Sequence, residues 1–360
     1  MSAAPNSPRT PQEVASAVRD TPHLIPAGAG TKPRLSQPPP GFAVLDLRGL
    51  TGIVAYEPGE YTFTALAGTP LSEIASALAR NGQHLPFDPP FADSGATLGG
   101  AIASGLSGPG RYRYGGLRDF ILGVRYVTGL GELALAGGRV VKNAAGFDLP
   151  KLFTGSLGRL GVIVEASFKV FPQQWAHATV VAQFPDMPAA LEAMARLVTS
   201  PFDIEGLELE PPGTLSVRIG GSAETFAERL PRLEGFVGGR ARRVTGGEEE
   251  ELWRGLAPRM PETPSRVLAK VPVTPRAIAE LDRDLGAAGA ARRYSAGGSV
   301  AWVDWPAPAG ELAGLLAARG LAGLVIRGDC QTPLIGRTRG DLFRSRVKAA
   351  MDPAGRFPDF

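Results

Sequence analysis

Three glycine-rich stretches constrain this chain more than any other feature: PAGAGTK at Pro26–Lys32, SGATLGGAIASGLSGPGRYRYGG at Ser94–Gly116, and GSLGRLGVI at Gly155–Ile163. In the last, Gly155, Gly158 and Gly161 recur at every third residue beside an apolar run. Glycine inside an element costs about 0.5–1 kcal/mol relative to alanine. Each stretch therefore marks a place where the backbone turns through positive φ or something approaches it closely. The middle stretch is too glycine-dense for regular structure and too apolar for a linker, so the sequence predicts a long ordered loop, usually a functional one.

The usual phosphate-binding fingerprints fail here. Gly28-Ala29-Gly30 follows a strand-like run, but Pro33 occupies the third position of a dinucleotide fingerprint, and no helix follows to offer its N-terminus. No Walker A pattern is present. What PAGAGTK does offer is a turn with successive backbone N–H groups able to form an anion nest, with Lys32 beside it.

Between these stretches the elements alternate. His23–Ala27 and Ala43–Leu47 read as short buried strands, and Gly52–Glu57 with Tyr61–Leu66 as a hairpin around Pro58-Gly59. A helix follows with Thr69 as N-cap, Pro70 at the first position, and Leu71, Ile74, Ala75 and Leu78 on one face. A helical turn is predicted over Phe147–Phe153 and a strand over Gly161–Val170. Beyond Pro172, helices are predicted over Met187–Leu197 and Ala223–Leu230, the latter capped by Ser222 and stopped by Pro231, with strands at Thr214–Ile219 and Val267–Val271. GGEEEELWRGL opens another amphipathic helix, its glutamates reading as a solvated start. At 360 residues the chain has room for two cores.

Composition excludes several classes. The formal charge is +3 and no arginine run is interleaved with aromatics, which argues against nucleic acid. Cys330 is the single cysteine, so the chain can neither form an internal disulfide nor hold a cysteine-ligated iron–sulfur cluster by itself. Cys330 reads as a small buried hydrophobe. The first twenty residues lack the apolar core of a signal peptide, and no apolar run is long enough to cross a bilayer. A cytoplasmic protein without a metal site is expected.

A nest followed by two further stretches of side-chain-free backbone suits an extended ligand with a diphosphate and a planar ring, which FAD is. In order, PAGAGTK, ATLGGAIASGL and GSLGRLGVIVEA resemble the FAD-binding domain of the vanillyl-alcohol oxidase and p-cresol methylhydroxylase (PCMH) type. GTPLSEIASALARNGQHLPFDPP, SGPGRYRYGGLRDFILG, VVKNAAGFDLPKLFTGS, ELWRGL and VKAAMDPAGRF are similar to the E-subunit family of bacterial glycolate oxidases.

The resemblance implies an α+β fold: a PCMH-type FAD-binding domain of two α/β subdomains over residues 1–173, an α/β cap over 174–334, and a C-terminal segment, 335–360, returning to the first domain. It implies that Ala27, Gly28, Ala29, Gly30 and Thr31 hold the pyrophosphate through main-chain N–H groups. Ala96, Thr97, Leu98, Gly99, Gly100 and Gly105 would border the pyrophosphate and ring, and Gly158, Gly161, Val162 and Ile163 the adenosine and ribityl portion. Two positions depart from the family pattern: Gly146-Phe147-Asp148 lacks the tyrosine hydroxyl, and the C-terminal F-N-P-G is reduced to Phe357-Pro358.

Oxidising a 2-hydroxy acid needs a base at the hydroxyl and a cationic grip on the carboxylate. The histidines are His23, His84 and His177, and only the last reaches the second domain, at its very start. No catalytic residue is assigned. The expectation is an FAD subunit that works with a sister FAD-containing catalytic subunit and an iron–sulfur subunit on glycolate or D-lactate, in the cytoplasm or peripherally at the inner membrane through the complex. A self-contained dehydrogenase and a scaffold subunit are the alternatives. Trp253, Trp302 and Trp305 are candidate partner contacts, with a core role equally open.

Overall fold

The computed structural model describes residues 7–138, 148–258, 260, 263 and 266–360. They form two compact units, each with its own core. The first comprises Met1–Ser107, Gly116–Gln173 and Arg339–Phe360; the second comprises Gly108–Gly115 and Gln174–Thr338. The predicted Gly146-Phe147 pair lies outside the described residues.

The first unit begins with α1 (Pro11–Asp20), whose N-cap Thr10 accepts from the Glu13 N–H. β1 (Leu24–Ala27) pairs in parallel with β2 (Ala43–Asp46), burying Leu24, Ile25 and Leu45. β3 (Ile53–Glu57) and β4 (Thr62–Leu66) form the predicted hairpin. Next come α2 (Leu71–Ala79), β5 (Gln83–His84) and α3 (Leu98–Ser104). β6 (Ile121–Val127), β7 (Leu133–Gly137) and β8 (Val162–Lys169) join β3 and β4 in an antiparallel sheet of order β3-β4-β8-β6-β7. α5 (Leu149–Phe153) precedes β8; β9 (Phe171–Pro172) pairs with β5, and α11 (Asp341–Met351) belongs to this unit.

Two local expectations are corrected in this unit. Thr69 is not a cap: Pro70 holds that position, and the buried Thr69 hydroxyl donates to the Leu66 carbonyl and accepts from Gly52 N–H. The middle glycine stretch is not all loop, because Leu98–Ser104 is helical. Thr97 caps it by accepting from Gly100 N–H, Gly105 ends it at φ +62°, and Leu98, Ala101 and Ile102 are buried. Tertiary burial of that apolar face outweighs the low helix propensity of Gly99 and Gly100.

The second unit contributes α4 (Arg111–Tyr114) and a nine-stranded sheet of order β13-β10-β12-β11-β15-β16-β14-β17-β18. Its strands are β10 (Ala176–Gln183), β11 (Ile204–Glu210), β12 (Thr214–Gly221), β13 (Arg240–Thr245), β14 (Val267–Pro272), β15 (Ala291–Ser295), β16 (Val300–Trp305), β17 (Ala322–Arg327) and β18 (Leu334–Gly336). Its helices are α6 (Met187–Val198), α7 (Ala223–Val237), α8 (Gly246–Leu256), α9 (Pro275–Ala287) and α10 (Ala309–Ala318). Alternate strand residues, among them Val180, Leu207, Val217, Val271, Ala301 and Val325, share one core with the inner faces of α6, α7, α9 and α10. The other face carries the intervening residues, including Thr179, Glu208, Arg218, Lys270, Arg293 and Trp302.

Pro231 does not stop its helix: α7 runs through it to Val237. Burial of Leu233 and Val237 beyond the proline offsets the one backbone hydrogen bond that proline removes. Glu249 is not solvated either. It is buried, pairs with Arg218 and accepts from the Thr179 hydroxyl, which also accepts from the Trp253 indole N–H. Trp253, Trp302 and Trp305 are all buried, so none is an exposed contact, whereas Trp175 is 93% exposed. Cys330 is half-buried.

Candidate functional site

The three glycine stretches converge on one cavity in the first unit, with about 700 Å³ of empty space including its mouth. Glycines let the stretches approach one another. A Cβ on Gly28 would fall 2.3 Å from Thr97 Oγ1, so the first stretch could not lie against the second with any side chain there. A Cβ on Gly158, which sits at φ +71°, would fall 2.7 Å from Pro26 Cγ, so the third stretch meets the first in the same way.

Of the sequence-predicted residues, Ala27, Gly28, Ala29, Gly30, Thr31, Thr97, Gly99, Gly100, Gly158, Gly161 and Ile163 line this cavity. Ala96, Leu98, Gly105 and Val162 do not. Leu98 and Val162 are fully buried, and Val162 points to the opposite side of β8 from Gly161 and Ile163, as strand alternation requires. Gly105 ends α3 against Gly155, whose N–H donates to Ile102 O, so both glycines shape the wall from behind.

Sequence reasoning placed Lys32 near the nest but did not assign it to the site, and it missed Leu35, Ser36, Leu47, Ala103, Ser104 and Leu157. Lys32 is the one charged lining residue. It is only 7% exposed, its ammonium donates to Thr31 Oγ1 at 3.1 Å, and it lies 5.7 Å from the Phe91 ring centre. No described carboxylate pairs with it, and burial pushes its pKa down to about 8. A buried cation without a counter-ion beside a glycine nest suits a diphosphate. The apolar walls suit a ring system, and the described lining residues include no acid or histidine to repel or compete with an anion.

Comparison with known proteins fits this geometry. Residues 4–137 match the family described as FAD binding domain. Through that region, a little over a third of the chain, the sequence is similar to the FAD-binding domain family. Its cofactor is FAD. The chain is 38% identical over 247 residues to glycolate oxidase subunit GlcE of Escherichia coli (strain K12), covering 68% of this chain and 66% of that protein. It is 29% identical over 195 residues to glycolate oxidase subunit GlcD of Bacillus subtilis (strain 168), covering 54% and 41%. It is 37% identical over 131 residues to a D-2-hydroxyglutarate dehydrogenase of Xanthomonas citri pv. viticola, covering 36% and 27%. The matches thus span less than two thirds of these relatives' own length. An alkyldihydroxyacetonephosphate synthase structure superposes with a TM-score of 0.69 at 17% identity, covering 97% of this chain and 74% of that one, so the two share a fold.

Among the described residues that line the cavity there is no cysteine, histidine or tyrosine, the side chains that could form a covalent flavin link. Acid precipitation of the purified chain is expected to leave all flavin in the supernatant. Flavin retained in the washed pellet would contradict this.

Proposed function

We propose that this chain is the FAD-binding subunit of a complex that oxidises a small 2-hydroxy acid, glycolate or D-lactate, to the 2-oxo acid. The observation that carries the reading is the composition of the cavity: a diphosphate nest, a buried lysine and apolar walls, with no histidine or carboxylate among the described lining residues. When bound, FAD supplies the two-electron acceptor for the C2 hydride. The chain's own residues bind and orient it: the Ala27–Thr31 turn presents main-chain N–H groups, Lys32 neutralises phosphate charge, and Leu35, Leu47, Leu157 and Ile163 exclude water.

The substrate hydroxyl must lose a proton, and the histidines are poorly placed to take it. His177 Nε2 is 3.0 Å from Glu205 Oε2, His23 Nδ1 lies 3.2 Å from Gly355 O, and neither lines the cavity. This supports a sister FAD-containing subunit as the carrier of the catalytic base. Reduced flavin must also pass its electrons on. With a single cysteine, this chain needs an iron–sulfur partner for any cysteine-ligated relay. No helix among the described residues is long and apolar enough to cross a membrane, which fits a cytoplasmic complex or one held peripherally at the inner membrane through a partner.

The test is glycolate- and D-lactate-dependent dye reduction by the chain alone and by the chain co-purified with the proteins encoded beside it. Turnover is expected only in the complex. Full turnover by the isolated chain would replace this reading with that of a self-contained dehydrogenase.

A further inference from the structure

The apolar side of α11 faces outward. The one buried side chain of this helix is a lysine: the Lys348 ammonium donates to the Asp352 carboxylate and, at 2.8 Å, to Phe357 O. Asp352 also accepts from Arg356 N–H at 3.0 Å and Phe357 N–H at 2.9 Å, while the Arg356 guanidinium donates to Gly129 O and Thr21 O. These bonds fix the rotation of α11 about its own axis, because Lys348 has to face inward. At about 100° per residue, Leu342, Arg346 and Ala350, spaced four apart, then lie with Phe343 on the side away from Lys348. Leu342 is 67% and Phe343 69% exposed, and Arg346 and Ala350 are exposed with them.

Water gives such a helix little reason to form. Helices below about 12–15 residues are marginal unless an apolar face is packed, and α11 has 11 residues with its large apolar side chains uncovered. Its charges say what kind of surface would cover them. Asp341, the one acid of the helix, is taken by Arg344, whereas the exposed Arg339 and Arg346 have no ion-pair partner among the described residues. The covering surface must therefore be apolar and carry carboxylate. An isologous contact between two copies would set this cationic face against itself. A fluid layer of anionic headgroups offers the planar fork of Arg346 no fixed partner, whereas a protein cleft can hold a carboxylate there in bidentate geometry.

We propose that α11 is the docking helix for the sister FAD-containing subunit, seated in an apolar cleft of that protein whose wall carries a carboxylate facing Arg346. The proposal rests on the reading above for the existence of that partner. Leu342 and Phe343 are the anchors of a helix-in-groove contact, and Arg346 sets its register. Because the Lys348, Asp352 and Arg356 bonds already hold the helix in its presenting orientation, docking has little left to order.

The experiment is calorimetric titration of the full FAD-loaded chain with the purified sister subunit encoded beside it, with light scattering on the eluted complex. The double variant Leu342→Ser/Phe343→Ser is expected to weaken binding by at least about a hundredfold. Arg346→Gln should weaken it by about tenfold at low salt and make it less salt-dependent than wild type. All three positions are exposed, so FAD content and melting temperature should match wild type. Absence of a wild-type complex with that subunit, or undiminished binding by the double variant, would overturn the proposal. So would a wild-type homodimer that the double variant breaks, which assigns the face to a second copy, or cosedimentation with phosphatidylglycerol vesicles that the double variant loses, which assigns it to lipid. The titration needs no substrate. A complex that forms through α11 yet oxidises neither glycolate nor D-lactate would sink the functional reading and leave this surface standing, and an active complex indifferent to the double variant would do the reverse.

Discussion

Gly100→Val is expected to give a folded chain that purifies without FAD. Gly100 lies in α3 and lines the cavity, and among the described residues, the backbone of its own helix aside, a Cβ placed there would meet Thr97 Oγ1 at 3.1 Å. Its backbone is an ordinary helical one, so a valine adds no strain from positive φ, and its branches project into the space the cofactor needs. The stability loss should be about 1 kcal/mol or less, set by a modest close contact and by valine's β-branching. Gly161→Val is the contrasting variant. There φ is +152° and a Cβ would meet Val127 O of the adjoining strand at 2.9 Å, so that side chain collides with the protein before any ligand. Flavin absorbance per mole of chain, beside thermal melting of the apo form, separates the two: flavin lost with melting retained at position 100, and both lost at position 161. Stoichiometric flavin in Gly100→Val would show that α3 does not border the cofactor.

Lys32→Met should weaken FAD binding and, in the same molecule, raise apo stability. Depression of the Lys32 pKa from its ordinary 10.5 to about 8 corresponds to about 3 kcal/mol of unfavourable burial of the charged form. The protonated form is the one disfavoured in the folded apo chain. Its cost is therefore present in full below about pH 8 and is relieved as pH rises from about 8 towards 10.5. Methionine keeps the aliphatic stem and removes the cost at all pH values, so the apo chain should melt higher at neutral pH. The bound diphosphate favours the protonated form, so wild-type affinity should be full below about pH 8 and fall above it. In Lys32→Met, affinity should be lower by at least about tenfold at pH 7, or 1.4 kcal/mol, and level across that range. Lys32→Arg should restore part of it. Equal affinity of wild type and Lys32→Met at pH 7 would remove Lys32 from the site.

The first unit was the more legible half of the sequence because its constraints are backbone constraints. Gly28, Gly158 and Gly161 are visible as letters, and what they do depends on the side chain they lack. Position on an element was harder to read. Val162 and Leu98 stand next to lining residues in sequence, yet strand alternation and helical rotation turn them away, and the sequence motif does not state that phase. At α3, Gly99 and Gly100 argue against helix locally, while Leu98, Ala101 and Ile102 decide for it through burial. Pro231 and Glu249 misled in the same way, as each is outweighed by partners distant in sequence, such as Arg218 and Thr179 for Glu249.

The assignment of Gly108–Gly115 to the second unit means that this unit has no self-sufficient sequence interval. The chain passes between the units after Ser107, returns after Gly115, leaves again after Gln173 and comes back after Thr338. A fragment cut at the last two crossings would lack α4, and with it the Tyr114 hydroxyl that donates to Glu205 at 3.0 Å and the Arg113 guanidinium that pairs with Asp203. During synthesis those α4 groups emerge about ninety residues before their partners and wait for them. The inheritance of the two units is tied in the same way: a recombination event that swapped the later interval alone would replace the strands and leave behind a helix fitted to the old ones.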